Sequence, residues 1–296
     1  MPCICSNKSF VRFNRVNEDF CFMKRIHCFL LLALFYSSSV FSQYYYNDIV
    51  AQQQSAKQYA SLTGAHIKHV SAASFEGNRP VDGFTVEQRI SPDGKNITIN
   101  TSDPSSGTSV TINTYRDGKL VQTIDSSTNV LSKTLYTYDG AGNITTITSA
   151  SDDAFMNSHS TEVHQWSYDN NLPKQMLRIK DKTDTTFVTF TYDNNNLAQE
   201  TWTRKKQKVQ TYYYYYDARN QLTDIVRFNE RVRKMLPDFL YEYDETGRIS
   251  QMMQVPAGSA DYIVWKYTYN ANGLKQTEMA YNKQQQPVGR IEYTYE

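Results

Sequence analysis

The chain has 296 residues, 31 basic and 30 acidic side chains, and a mean hydropathy of −0.62. That length suffices for one or two domains with a sizeable core. All four cysteines lie at or before Cys28, so the rest of the chain has neither a disulfide framework nor a cysteine metal site. The near balance of charge excludes a general drive toward nucleic acid.

The start of the chain has the pattern of an export signal. An apolar run over residues 28–36 follows Lys24 and Arg25, and small residues lie at Val40 and Ser42. This pattern is typical of a secretory signal peptide and predicts cleavage between Ser42 and Gln43. The run is shorter than the roughly 20 apolar residues that a membrane-spanning helix needs.

Met23 directly precedes the basic pair and is predicted to be the true initiator. Residues 1–22 carry Glu18 and Asp19, which do not fit an export signal, so they are interpreted as a mis-called extension of the signal peptide 1–42. We expect no lipid anchor, because no cysteine follows the apolar run.

Residues 43–75 are predicted to form a helical or linker segment. Asn47 and Asp48 could cap a short helix that ends at Gly64. We expect such a helix to shield the first edge of the repeats that follow, as atypical terminal units do in repeat proteins.

A short unit then recurs at intervals of 24 to 30 residues: an aromatic residue, a spacer, a tyrosine and a turn. A period in this range indicates a repeat protein. The seven copies begin at Tyr136, Trp166, Phe190, Tyr214, Tyr241, Tyr267 and Tyr293.

The turn chemistry of the unit predicts β-hairpins. Asp139, Asp244 and Asn270 each stand three residues before a glycine. Asp or Asn at the first position accepts backbone N–H bonds within the turn, and the glycine supplies the left-handed residue. These aspartates are interpreted as turn formers, because one or two carboxylates are too few for calcium.

We predict an all-β fold for residues 76–296, in which each repeat supplies two strands of about eight residues. About 16 strands from residue 83 onward would form an antiparallel meander of repeated β-hairpins. A sheet of that size curls, so we expect a curved or twisted sheet, or a partial β-shell, with the aromatic side chains on one face.

The segment Tyr243–Ile249, with the pattern Tyr-Asp-x-x-Gly-Arg-Ile, resembles the YD repeat of the Rhs family. Looser copies extend the resemblance over about residues 110–296. Long members of that family wind YD repeats into a hollow β-shell that encloses a C-terminal toxin or anchors cell-surface contacts. The resemblance implies the strand architecture and an envelope or extracellular setting. We expect a short secreted member without a toxin domain.

Two aromatic strands supply the first candidate site. Aromatic residues occupy both faces of the run from Tyr212 to Tyr216, so Tyr213 and Tyr215 should point away from the other rings. Together with Trp202 they could stack on sugar rings. The alternative is that the rings of the repeat form only the core of the sheet.

A basic edge supplies the second candidate. Arg204, Lys205 and Lys206 lie at one predicted hairpin tip, and Arg231 and Arg233 at the next equivalent tip. Stacked units would place both tips on one edge, where they could attract anionic glycans or lipid headgroups. The alternative is a set of solvated tips that prevent edge-to-edge aggregation.

We predict no metal site, no cofactor and no catalytic residues. His66 and His69 have a two-histidine spacing without a nearby carboxylate, and His159 and His164 stand apart from them. The leading hypothesis is an exported, non-enzymatic YD-repeat binding or structural module of the cell envelope that contacts carbohydrate. Its location would be periplasmic, extracellular or at the surface of a bacterium.

The expected partners are a cell-surface polysaccharide or an envelope protein, without nucleic acid and without a membrane span after signal cleavage. One alternative is an outer-membrane β-barrel, which shares the alternating strands and the aromatic content. The other alternative is a glycan-acting enzyme.

Overall fold

A computed structural model describes residues 44–229, 233–256 and 261–296. The predicted signal peptide, its predicted cleavage site, the predicted initiator Met23 and the candidate residue Arg231 lie outside the described residues. The described chain forms one helix, α1, and 19 strands, β1–β19. Their bounds are α1 Asn47–Gly64, β1 His69–Glu76, β2 Arg79–Pro80, β3 Thr85–Ile90, β4 Asn96–Asp103, β5 Gly107–Arg116, β6 Lys119–Ser127, β7 Val130–Tyr138, β8 Ile144–Asp153, β9 Ser158–Asp169, β10 Leu172–Lys180, β11 Asp184–Asp193, β12 Asn196–Arg204, β13 Gln207–Tyr216, β14 Leu222–Asn229, β15 Lys234–Tyr243, β16 Ile249–Gln254, β17 Ile263–Tyr269, β18 Lys275–Tyr281 and β19 Pro287–Tyr295.

The strands form a single antiparallel meander that closes on itself. Each strand from β3 to β18 pairs with the next strand in the chain. Strand β1 pairs with β19, from Val70 opposite Tyr295, and with β3, from His69 opposite Arg89. The closed sheet therefore has 18 strands, while β2 is a two-residue addition to β1. The predicted all-β fold of curved, repeated hairpins is confirmed.

Strand β1 lies in the segment where only a helix or linker was predicted. It fills the gap between the first and last hairpins and leaves itself no unpaired edge. Helix α1 therefore has no strand edge to shield, and it contacts the interior of the closed shell instead.

The side chains alternate between the interior and the outer wall, as the period of a strand requires. On β11, Thr186, Val188 and Phe190 are buried, whereas Phe187 and Thr189 are exposed. The first aromatic residue of most repeats belongs to the inward set. The aromatic rings therefore form the core of the shell, together with aliphatic side chains of neighbouring strands.

The repeated turns have the predicted chemistry. The Asp139 Oδ1 atom accepts the backbone N–H groups of Ala141 and Asn143 at 2.9 and 2.8 Å, and Gly142 has a φ of 90°. Hydrogen bonds from Asn143 hold the pKa of Asp139 below its usual value. The prediction that these aspartates form turns is confirmed.

The meander places the turns at two rims of the shell. The YD rim carries the turns that follow the repeated tyrosines, at residues 139–143, 217–221, 244–248 and 270–274. The distal rim carries the alternate turns, which include residues 154–157, 181–183 and 205–206 and the turn that contains Arg233.

Candidate functional site

A buried carboxylate on β12 binds the segment that precedes helix α1. Glu200 is 0% exposed, and it accepts the backbone N–H of Tyr45 at 2.6 Å and of Tyr46 at 3.0 Å. It also accepts the Trp202 indole N–H at 2.6 Å and the Tyr214 hydroxyl at 2.7 Å. Burial raises the pKa of Glu200, and these four hydrogen bonds only partly offset that effect. Glu200 thus clamps two consecutive peptide groups inside the shell.

Residues 44–46 supply three tyrosine rings to the aromatic core. The Tyr45 ring lies 4.5 Å from Trp202, and the Tyr44 ring lies 5.6 Å from Phe239 in an edge-on arrangement. Tyr44 and Tyr45 are 4% and 7% exposed. Aromatic pairs at these distances stabilise a fold by more than the free energy of burying their surface. Ring packing and the hydrogen bonds to Glu200 therefore both hold residues 44–46 against the wall.

An ion-pair network links the first turn of α1 to the wall. The Asp48 carboxylate lies 2.6 Å from His164 Nδ1, and Glu162 lies 2.8 Å from His164 Nε2. Arg178 then donates to Glu162 at 2.7 Å. Burial opposes protonation of His164, but the two carboxylates outweigh it and raise the pKa of His164 to about 9. Burial likewise opposes ionisation of Glu162, but its hydrogen bonds to His164 and Arg178 lower its pKa to about 2.

The later turns of α1 contact a different part of the wall. Ser55 and the Tyr115 hydroxyl lie 2.9 Å apart, and the Tyr59 hydroxyl donates to the Gly94 carbonyl at 2.9 Å. The Tyr59 and Tyr115 rings stack at 4.2 Å. Helix α1 therefore bridges from the β9–β13 wall to the β3–β6 wall, and the shell encloses part of its own chain.

The repeated tyrosine has a structural role that the sequence analysis missed. In five of the seven repeats, the tyrosine hydroxyl donates to a backbone carbonyl of the preceding repeat, near the start of the strand that follows the earlier turn. The distances are 2.6–2.7 Å for Tyr138 to Leu120, Tyr192 to Pro173, Tyr243 to Leu222, Tyr269 to Ile249 and Tyr295 to Lys275. The sequence signal for this role is the regular spacing of the tyrosines, because one tyrosine per hairpin places each hydroxyl beside the preceding hairpin.

A second buried carboxylate, Glu278 on β18, occupies the same position in its repeat. Glu200 lies opposite Phe190, and Glu278 lies opposite Tyr267, the first aromatic residue of its own unit. Glu278 is also 0% exposed, but its Oε1 atom accepts from Lys275 at 2.9 Å and from the Tyr293 hydroxyl at 2.7 Å. Its Oε2 atom has no hydrogen-bond partner among the described residues.

The aromatic candidates separate onto two faces. Tyr215 is 51% exposed and Tyr213 is half-buried, and both lie on the outer wall of β13. Trp202 faces the interior, where it bonds Glu200 and packs against Tyr45. The shell therefore does not combine Trp202 with the two tyrosines in one surface, and carbohydrate binding by these residues stays a prediction.

The described basic candidates lie at the distal rim. Lys205 and Lys206 form the β12–β13 tip with φ values of 48° and 63°, and Arg233 lies in the β14–β15 turn with a φ of 53°. All three are exposed, whereas Arg204 forms an ion pair with Asp184 at 2.6 Å. Binding of anionic glycans or lipid headgroups at this edge stays a prediction.

Two further candidate histidines pair with carboxylates. His69 pairs with Glu87 and Glu296, and His159 pairs with Asp152 at 2.7 Å. Over the described ranges, no three His, Cys, Asp or Glu side chains are grouped so that they could hold a metal ion. Over the same ranges, no helix has the length and apolarity to cross a membrane.

Comparisons with known proteins find one family and several remote structures. The RHS repeat family matches residues 115–154. A search of curated protein sequences finds no match. A porin-like protein from Bacteroides uniformis is 13% identical with a TM-score of 0.38, and the match covers 78% of this chain and 98% of that chain. A porin-like protein from Bacteroides vulgatus is 12% identical with a TM-score of 0.30, over the same shares of the two chains.

The Tc holotoxin pore of Photorhabdus luminescens is 12% identical with a TM-score of 0.34. That match covers 70% of this chain and 12% of the toxin chain. The family match falls on β5–β8, where the first complete aromatic-x-tyrosine unit and its Asp139 turn lie. Residues 115–154 therefore match the RHS repeat that the Tyr-Asp pattern of the sequence predicted.

Proposed function

We propose that this protein is an exported, non-enzymatic structural module of the bacterial cell envelope that binds partners through its outer surfaces. The observation that carries the proposal is the occupied interior, in which Glu200 holds the backbone of Tyr45 and Tyr46. Because the N-terminal segment occupies part of the interior, the outer wall and the rims are the surfaces that we assign to partners. The RHS repeat and the signal-peptide pattern support an envelope setting.

The non-enzymatic part of the proposal rests on how the buried charged groups are used. Glu200 is occupied by four donors of its own chain, and His164 lies between two carboxylates. Groups engaged in this way hold the segment in place and are not free for proton transfer to a substrate. Hydrolysis of any polysaccharide by the pure protein would overturn this part and favour the glycan-acting enzyme.

The outer wall supports the structural module over an outer-membrane barrel. On β11, the outward positions Thr189 and Thr191 are exposed between Phe187 and the YD rim. A lipid-facing strand would instead carry an apolar side chain at every second position. Release by osmotic shock tests the choice: we expect the protein in the shock fluid, and extraction by detergent alone would favour the barrel.

Carbohydrate contact is the finer part of the proposal, and it rests on the outer pair Tyr213 and Tyr215. A glycan array of the purified protein should give a signal that Tyr215→Ala removes and Tyr215→Phe retains, because stacking needs only the ring. Tyr213→Ala should weaken the same signal. An array without any signal would remove carbohydrate from the proposal and leave the structural module.

A further inference from the structure

The hairpin tip between β8 and β9 exposes two large apolar side chains. Phe155 is 84% and Met156 is 71% exposed, whereas the next most exposed large apolar side chain, Phe187, is 56% exposed. The tip is an ordered turn, because the Met156 N–H donates to Asp153 Oδ1 at 2.8 Å and Asn157 has a φ of 46°. The turn thus holds both side chains outward at the distal rim. Exposed apolar groups of this kind mark interaction sites.

Basic residues occupy the neighbouring tips of the same rim. Lys182 lies in the β10–β11 tip with a φ of 64°, and Lys205 and Lys206 form the β12–β13 tip. Tips separated by two strands are about 10 Å apart at the usual strand spacing. The positive side chains are therefore within about 20 Å of Phe155 along the rim.

The carboxylates of this arc are engaged within the protein. Asp181 accepts the Thr161 N–H at 2.8 Å, and Asp184 pairs with Arg204 at 2.6 Å. Asp152 pairs with His159 at 2.7 Å. These three tips also carry six basic side chains against four carboxylates, so the net charge that an approaching surface meets is positive. The basic residues are Lys180, Lys182, Arg204, Lys205, Lys206 and Lys208, and the acidic ones are Asp152, Asp153, Asp181 and Asp184.

We propose that the distal rim docks on an anionic lipid surface, with Phe155 and Met156 at the acyl boundary and Lys182, Lys205 and Lys206 on the headgroups. An apolar edge beside a basic one is the arrangement that binds membrane interfaces. A lipid fits better than a sugar, because neither Phe155 nor Met156 carries a hydrogen-bonding group for hydroxyls. The proposal rests on the envelope setting of the proposed function and gives that module a binding surface.

Vesicle flotation of the purified protein tests the docking. The protein should float with vesicles of equal parts phosphatidylglycerol and phosphatidylcholine, and much less with phosphatidylcholine alone. Phe155→Ser with Met156→Ser should weaken binding at least about tenfold, because each side chain loses its apolar transfer. Both side chains are exposed, so the fold should be unaffected.

The contribution of the basic residues is tested with the double variant Lys205→Asn and Lys206→Asn. Asparagine tolerates the left-handed backbone conformation of Lys205 and Lys206. The β11–β12 turn of the same chain already places Asn194 and Asn195 in that conformation. Each lysine should contribute about fivefold to the affinity for anionic vesicles, so the double variant should bind about 25-fold more weakly. High salt should likewise weaken the binding of the unmodified protein to anionic vesicles.

The matched control removes two positive charges from the other end of the shell. Lys95 and Lys174 lie near the YD rim and pair with the exposed carboxylates of Asp93 and Asp169, at 3.9 and 3.3 Å. Lys95→Asn with Lys174→Asn gives the same net charge as the rim variant and should leave flotation unchanged. Equal loss in this control, or no binding to anionic vesicles, would overturn the docking.

The two proposals can fail separately. Flotation uses pure protein and does not depend on export, whereas osmotic shock reports export and not lipid binding. If the protein is released by osmotic shock but does not bind anionic vesicles, the proposed function stands and the docking proposal is wrong. If the protein binds vesicles but stays in the cell interior, the docking surface stands and the proposed export to the envelope is wrong.

Discussion

Two regions of the shell solve the same local problem differently. In the region β8–β15, the inward position opposite Phe190 carries Glu200, whose donors come partly from the N-terminal segment. In the region β16–β19, the equivalent position carries Glu278, whose donors, Lys275 and Tyr293, come from the same two hairpins. Glu200 therefore binds the N-terminal segment, whereas the hydrogen bonds of Glu278 come only from its own wall and engage only its Oε1 atom.

The other repeats show what this position usually contains. It is aliphatic or a thioether in the units at Ile147, Met176, Ile225 and Met252. Those four units form the wall without a carboxylate at this position, so the carboxylate is not needed for the strands to pair. The difference teaches that the repeat determines the wall, whereas single departures from it determine what the wall contains.

The largest effect is expected from Glu200→Met, which copies the residue found at Met176. It leaves two backbone N–H groups, an indole N–H and a hydroxyl without their acceptor, and an unsatisfied buried donor costs about 1–3 kcal/mol. We expect a loss of on the order of 4 kcal/mol in the free energy of unfolding, measured with urea. Trypsin should also cut faster after the exposed Lys57 of α1.

Glu278→Met is the matched variant in the second region. It removes an acceptor that already has one oxygen without a partner, so we expect a smaller loss of about 1–2 kcal/mol. Cleavage after Lys57 should not change. Equal losses, or faster cleavage in both variants, would break the comparison between the two regions.

The second effect is a pH dependence confined to the first region. The pKa of His164 is about 9 in the fold against an ordinary value of 6.5, so its contribution is complete below pH 6.5 and is lost as pH rises to 9. Glu162, with a folded pKa of about 2, contributes above pH 4.5 and loses its contribution as pH falls to 2. The network is therefore strongest between pH 4.5 and 6.5.

Unfolding between pH 6.5 and 9 measures this contribution. The unmodified protein should lose on the order of 2–3 kcal/mol across that window, and His164→Gln should remove the slope. The control is His159→Gln, whose pair with Asp152 is mostly exposed, at 58% and 65%. It should keep the slope, since exposed pairs contribute little. A slope unchanged in His164→Gln would place the titration elsewhere.

The sequence was sufficient for the wall because the wall is made of local rules. The turns at Asp139 and Asp244 and the alternation along β11 are each decided within about ten residues of chain, and the repeat then copies these local features along the sequence. These rules predicted hairpins, a meander and a curved sheet.

Closure and contents could not be predicted in the same way. Strand β1 lacks the aromatic unit, and its pairing with β19 joins residues more than 200 positions apart, such as Val70 and Tyr295. Asp48 resembled a helix cap, but its carboxylate contacts His164 from a distant strand. A lone glutamate at Glu200 carried no local sign of its partners, because those are backbone groups without a sequence signature.

The smallest effect concerns a feature that both regions share. The hydroxyls of Tyr192 in the first region and Tyr269 in the second each donate to a carbonyl of the preceding repeat at 2.7 Å. Each bond is independent of the N-terminal segment, so Tyr192→Phe and Tyr269→Phe should cost the same, about 1 kcal/mol by urea unfolding. Tyr168 is the internal control, because its buried hydroxyl has no hydrogen-bond partner among the described residues. Tyr168→Phe should leave stability unchanged or raise it, since it removes an unsatisfied polar group. A cost at Tyr192 well above that at Tyr269 would mean that the N-terminal segment strengthens the wall around it, and the two regions would then differ in their walls as well as in their contents.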